Sequence, residues 1–169
     1  EYGKSGAILT QRELEKRLET GTLAPAKSFA MIQCVGSREE PFNYCSRICC
    51  QDAIKNAIAI KKKYPKAGVT IFYRDIRTYG LREDYYREAR SLGVLFVRFE
   101  PDNKPGVQVS GDGVTITAFD FLLNRPVTVR ADILALSTGL RPHPSTEEVG
   151  RRYKLTCNPD GYFLEAHVK

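Results

Sequence analysis

The chain has 169 residues, 42% hydrophobic and 27% charged, with 13 Gly and 9 Pro. That suffices for one domain with its own core, is too little for two full ones, and excludes wholesale disorder. Basic residues number 26 against 20 acidic ones, a net charge of +6. They alternate with acids, however, and the longest basic run is Lys61 to Lys63, so nucleic-acid binding is not expected.

The elements follow in chain order. Glu1 to Ala26 reads as a lead-in. Within it Thr10 and Glu13 have the form of a capping box, which predicts a short helix over roughly Gln11 to Glu19, punctuated by Gly21 and Pro25. Ser28 to Gly36 is a run of small and apolar residues with the look of a strand buried on both faces. A charged loop, Ser37 to Asn43, leads to a helix predicted from about Cys45 to Tyr64. Its Ile48, Ala53, Ile54, Ala57, Ile58 and Ile60 keep helical spacing, and Pro65 and Gly68 stop it. Gly68 to Tyr73 is a β-branched strand, Leu81 to Leu92 a second helix with Gly93 as its C-cap, and Val94 to Phe99 a third strand.

From there the pattern changes. Val107 to Val109, Val114 to Phe119 and Pro126 to Arg130 alternate apolar and polar residues. Turns at Gly111-Asp112-Gly113 and Leu123-Asn124-Arg125 separate them, so a three-stranded antiparallel meander is expected. A final buried strand, Ile133 to Leu136, stops at Ser137-Thr138-Gly139. The tail from Arg141, with Pro142 and Pro144, reads as mostly irregular. Strand, helix, strand, helix, strand, meander and a returning strand make an α/β fold. It is a Rossmann-like, three-layer domain of dinucleotide-binding type, with a parallel sheet and an antiparallel β-meander.

Such domains hold pyrophosphate on a helix N-terminus through G-x-G-x-x-G. Here Gly36 is followed by Ser-Arg-Glu-Glu-Pro-Phe-Asn-Tyr-Cys, with no second or third glycine, so the nucleotide reading loses its main support. Cysteines stand there instead: Cys34, Cys45, Cys49 and Cys50, spaced Cys-x10-Cys-x3-Cys-Cys. Cys45 and Cys49 are expected on one face of the first long helix, with Cys34 opposite at the end of the neighbouring strand. Four thiolates in one locus suit a cubane iron–sulfur cluster, one per iron, with Arg38 and Arg47 adding positive field. Structural zinc, which favours paired C-x2-4-C knuckles, remains an alternative, as do thiol chemistry and plain packing. Clustered cysteines, no secretory leader in the residues at hand and no apolar run approaching the roughly 18 to 20 residues of a membrane span lead to the expectation of a cytoplasmic protein without membrane insertion.

Other residues are read more plainly. Cys157 is a buried free thiol, and His143 and His167 are surface or domain-contact residues. Asp75, where dinucleotide folds place a ribose-binding acid, is a turn residue. Tyr73, Tyr79, Tyr85 and Tyr86 are packing residues, and the Arg and Glu positions of the second long helix form a solvated face.

Met31-Ile-Gln-Cys-Val-Gly-Ser-Arg38, followed by Asn43-Tyr-Cys-Ser-Arg-Ile-Cys-Cys50, resembles the signature of the A-type subunit of heterodisulfide reductase, a family of flavin and iron–sulfur proteins. The likeness extends through Ala53 to Ala57, Tyr73 to Gly80, Tyr86 to Arg90, Ala131 to Gly139 and Asp160 to Lys169. It implies that Cys34, Cys45, Cys49 and Cys50 ligate a [4Fe-4S] cluster in a thioredoxin-reductase-like flavoprotein. It also implies that Ser137, Thr138 and Gly139, with Arg141 and Pro142, form a turn facing FAD in a neighbouring domain. On that resemblance, 1–26 is a lead-in from the flavin domain, 27–140 the Rossmann-like domain carrying the cysteines, and 141–169 a tail returning to the flavin domain. The implied role is electron transfer within an oxidoreductase, the excised domain being inactive alone. The implied partners are that flavin domain and other subunits of heterodisulfide-reductase or quinone-interacting complexes. A pyridine-nucleotide module with structural cysteines and a zinc-stabilised docking domain are the competing readings.

Overall fold

The computed structural model describes residues 1–23, 26–111 and 113–165; Pro25, Asp112 and His167 lie outside the described residues. The elements are β1 (Ile8–Thr10), α1 (Gln11–Thr20), β2 (Ser28–Ile32), α2 (Cys49–Lys63), β3 (Gly68–Tyr73), a 3-10 turn (Gly80–Arg82), α3 (Glu83–Ser91), β4 (Leu95–Arg98), β5 (Gly106–Ser110), β6 (Gly113–Asp120), β7 (Arg125–Ala131), β8 (Ile133–Leu136) and α4 (Thr146–Tyr153). Five strands form a parallel sheet in the order β1-β8-β2-β3-β4, and β5-β6-β7 form the antiparallel meander.

The central strands are apolar throughout because both of their faces are covered. Phe29, Met31, Val69, Ile71, Ile133 and Ala135 pack with Leu14, Leu18, Ala53 and Ile54 of the helices. The residues between them, Ala30, Ile32, Phe72 and Leu134, pack with Val114, Ile116 and Ala118 of the meander. Helices, parallel sheet and antiparallel sheet are thus three layers around two cores. Asp132 ties β8 to β2, its carboxylate accepting the Lys27 and Ser28 N–H groups at 2.6 and 2.9 Å.

The capping box forms as the sequence implies: Thr10 Oγ1 accepts the Glu13 N–H at 3.2 Å, and Glu13 accepts the Thr10 N–H at 2.7 Å. Two elements were not expected. Strand β1 is three residues long, too short for a periodicity, and exists only by pairing with β8. Helix α4 occupies a tail expected to be mostly irregular. Glu147 and Glu148 at its start, Arg151 and Arg152 at its end and a Glu148–Arg152 ion pair at 2.6 Å suit the helix dipole, and Pro142, Pro144 and Pro159 all lie outside it. Tyr73 and Tyr86 pack against Phe96 as packing residues should. Tyr79 and Tyr85 correct the expectation: both are exposed, on the solvent side of the segment leading into and through α3.

The chain runs from β2 outward to β3 and β4, then returns to β8 on the other side of β2. The crevice beyond the carboxyl ends of β2 and β8 is therefore the switch point at which α/β sheets bind ligands.

Candidate metal centre

Strand β2 delivers Cys34 to that crevice. Beyond Ile32 the backbone holds the sheet through Gln33 N–H to the Phe72 carbonyl and Val35 N–H to the Ser137 carbonyl. Between those bonds Cys34 adopts φ +60°, and Arg38 and Arg47 take the same left-handed conformation at +61° and +62°. Each costs a non-glycine residue roughly 1–2 kcal/mol, and such strain gathers at functional sites.

Arg47 also explains a correction. A left-handed residue cannot continue a helix, so α2 begins at Cys49 rather than near Cys45. Cys45 and Cys49 therefore do not share a helix face; the loop positions Cys45, whose Sγ accepts the Arg47 N–H at 3.3 Å.

The four cysteines nevertheless meet. Cys34, Cys45, Cys49 and Cys50 line one cavity, together with Ser37 and Ser46, and all four are free thiols. Its volume is 20 Å³, about that of one water, so anything larger requires the thiols to turn outward about χ1. Three of the sulfurs have hydrogen-bond partners: the Arg38 guanidinium donates to Cys34 at 3.9 Å, the Arg47 N–H donates to Cys45, and Cys50 Sγ donates to the Asp75 carbonyl at 3.7 Å. Burial pushes the Cys34, Cys49 and Cys50 thiols up, Cys50 to about 11, and at Cys34 the Arg38 guanidinium only partly opposes it.

Asp75, expected as a turn residue, closes the rim. Its carboxylate pairs with the Arg38 guanidinium and with Arg77 Nε at 3.1 Å. Burial pushes the Asp75 carboxyl up, but the hydrogen bonds from Arg38 and Arg77 outweigh it and hold the group below its ordinary value. Arg38 is thus braced between an acid and a sulfur. That role was invisible in sequence, because Asp75 and Arg38 belong to different loops.

The donor chemistry can be tested against the rival groups. Among the described residues, no three Cys, His, Asp or Glu side chains converge closely enough to hold one metal ion. A zinc tetrahedron with Zn–S near ~2.3 Å needs that convergence. A polynuclear cluster takes one thiolate per iron and spreads them further apart. Four thiols around one cavity supply the donor set for the second demand, their side chains turning outward to reach its wider spacing.

Ser137, Thr138 and Gly139 follow β8 directly and, with Cys49, line a larger cleft of 480 Å³ on the other side. Cys49 is thus shared by both cavities. Gly139 has φ +74°, and a Cβ there would lie 2.6 Å from Ser37 Oγ and 2.8 Å from Ser46 Oγ. Only glycine allows the turn and the serine-bearing loop to approach so closely. Arg141 stacks on Phe42 at 3.7 Å and donates to the Gly36 carbonyl, tying the tail to the cysteine loop. The other candidates lie elsewhere. Cys157 is partly buried and pairs its backbone with Phe163, and His143 bonds Ser145 Oγ at 2.8 Å.

No family model matches the chain. Among curated proteins, the A-type subunit of the ferredoxin/F420H2-dependent CoB-CoM heterodisulfide reductase of Methanosarcina acetivorans is 38% identical over 184 residues, covering 99% of this chain and 23% of the relative. The A-type iron-sulfur subunit of the CoB–CoM heterodisulfide reductase of Methanocaldococcus jannaschii is 37% identical, covering 99% of this chain and 28% of that protein. This chain is a segment of the heterodisulfide reductase family of A-type subunits. It spans only about a quarter of the length of those relatives.

Among solved structures, thioredoxin reductase of T. acidophilum superposes with a TM-score of 0.57 at 12% identity, covering 98% of this chain and 48% of that one. L-lysine 6-monooxygenase of Pseudomonas syringae gives 0.55 at 12% identity, over 92% and 45%. At that identity they establish the fold alone: the Rossmann-type domain expected from the element order. Among the described residues no helix is long and apolar enough to cross a membrane.

Proposed function

We propose that this chain is the electron-transfer domain of a heterodisulfide-reductase-type oxidoreductase, with Cys34, Cys45, Cys49 and Cys50 holding a [4Fe-4S] cluster. The observation that carries the reading is the gathering of four thiols around one cavity, with the Arg38 and Arg47 N–H groups donating to the Cys34 and Cys45 sulfurs. When bound, the cluster supplies one-electron storage at a potential set by its ligands, their hydrogen bonds and burial.

The chain's own residues do the rest. The N-terminus of α2 and the guanidinium of Arg38 offset the negative charge of thiolate ligands. Asp75 keeps Arg38 from swinging into solvent. Cys49 lines both the cysteine cavity and the larger cleft faced by the Ser137–Gly139 turn, which we assign to the flavin side. With FAD in a neighbouring domain and a cluster held by the four cysteines, Cys49 would be the ligand on the flavin side, and electrons would travel onward to partner subunits of the complex. No side chain serves as acid, base or nucleophile.

Iron and sulfide analysis of oxygen-free protein tests this. Brown protein with a broad band near ~400 nm and about four iron and four sulfide per chain is the expected result. Colourless protein that binds one zinc and no sulfide overturns it.

A further inference from the structure

Ser37 carries a polar atom that the fold itself does not use. The residue is 4% exposed, and its hydroxyl has no hydrogen-bond partner. It lines the cavity of the four cysteines. Its oxygen stands 2.6 Å from where a Gly139 side chain would begin, so the tight glycine turn is what makes room for it. Neighbouring Ser46 differs: its oxygen is engaged, accepting the Leu140 N–H at 2.8 Å. A buried hydroxyl without a protein partner is destabilising, and a redox role or a bound group that satisfies it is one physical reason for it to persist.

We infer that Ser37 is a potential-tuning donor, its O–H hydrogen-bonding a sulfur of the group held by Cys34, Cys45, Cys49 and Cys50. This rests on the cluster reading above. The proton stays on Ser37; the bond withdraws electron density from the sulfur. It therefore stabilises the more negative, reduced state over the oxidised one and raises the potential. Cys34 and Cys45 already have N–H donors, so the hydroxyl adds a further contact that packing does not require.

The experiment compares wild type, Ser37→Ala, Ser37→Thr and Ser37→Val after anaerobic reconstitution with iron and sulfide, by EPR-monitored redox titration. Ser37→Ala and Ser37→Val are expected to lower the reduced-to-oxidised ratio at fixed poise by on the order of tenfold, which for one electron is 59 mV. Ser37→Thr, which keeps the hydroxyl in the shape of Val, is expected to track wild type. Without metal, Ser37→Ala is expected to unfold at the same or a higher urea concentration than wild type, because it removes an unsatisfied group.

Equal potentials in wild type and Ser37→Ala at equal iron content overturn the inference. So does a metal-free Ser37→Ala chain that unfolds at lower urea than wild type, which reveals a structural partner for the hydroxyl. Wild-type protein that takes up no iron and sulfide refutes the cluster reading itself, an outcome separate from either.

Discussion

Replacing Gly139 by Ala tests how tightly the turn after β8 is set against the cysteine loop. Two effects add. At φ +74° an L-residue pays the left-handed penalty, roughly 1–2 kcal/mol. The new Cβ would also lie 2.6 and 2.8 Å from the Ser37 and Ser46 oxygens, inside any permitted contact, and such overpacking costs typically ~1–3 kcal/mol. Gly139→Ala is therefore expected to destabilise the chain by about 2–5 kcal/mol in urea unfolding. A mutant cycle separates the parts. In a Ser37→Ala, Ser46→Ala background the oxygens are gone, so the steric share disappears and only the backbone share of roughly 1–2 kcal/mol remains. Comparing the double mutant with and without Gly139→Ala cancels the loss of the Leu140 N–H acceptor. Gly139→Ala within ~0.5 kcal/mol of wild type, or no relief in the double-mutant background, would refute this account of the turn.

Further outcomes are expected. Cys49→Ser should lose iron and its visible band yet keep its far-UV circular dichroism, since the cores lie in the sheet, helices and meander; global unfolding of the variant would contradict that. In metal-free protein, Cys50, raised from 9.0 to about 11, should alkylate about a hundredfold more slowly at pH 8 than in denatured chain; mass spectrometry reads this, and equal rates would show that the thiol is not buried as described. Asp132 is held below its ordinary value, chiefly by the Lys27 N–H and then by Ser28. Its stabilising contribution is therefore present above the unfolded value near ~3.9 and lost as pH falls through the lower folded value. Asp132→Asn should flatten the acid limb of stability against pH between about 5 and 2; an unchanged limb in urea melts would place the acid sensitivity elsewhere.

How much of this was legible before folding follows from the range of the forces involved. Strand and helix order, the capping box at Thr10, the left-handed Gly93 just past the Leu92 cap of α3 and the cysteine cluster are local patterns. Hydrophobic period, capping chemistry and residue type are written in consecutive residues, and they sufficed for a three-layer α/β fold with thiols where a nucleotide's glycines would stand. Strand β1, by contrast, has no periodicity of its own and is a strand only because β8 lies beside it. The start of α2 depended on a left-handed Arg47 that no composition rule marks. The Asp75–Arg38–Cys34 contact, the Leu140 N–H bond to Ser46 and the approach of Ser37 to Gly139 each join segments that the chain keeps apart and the sheet brings together. Hydrogen bonds and ion pairs act over a few ångströms of space, not of sequence, so the chain alone chose the ligand atoms and the tertiary structure decided what surrounds them.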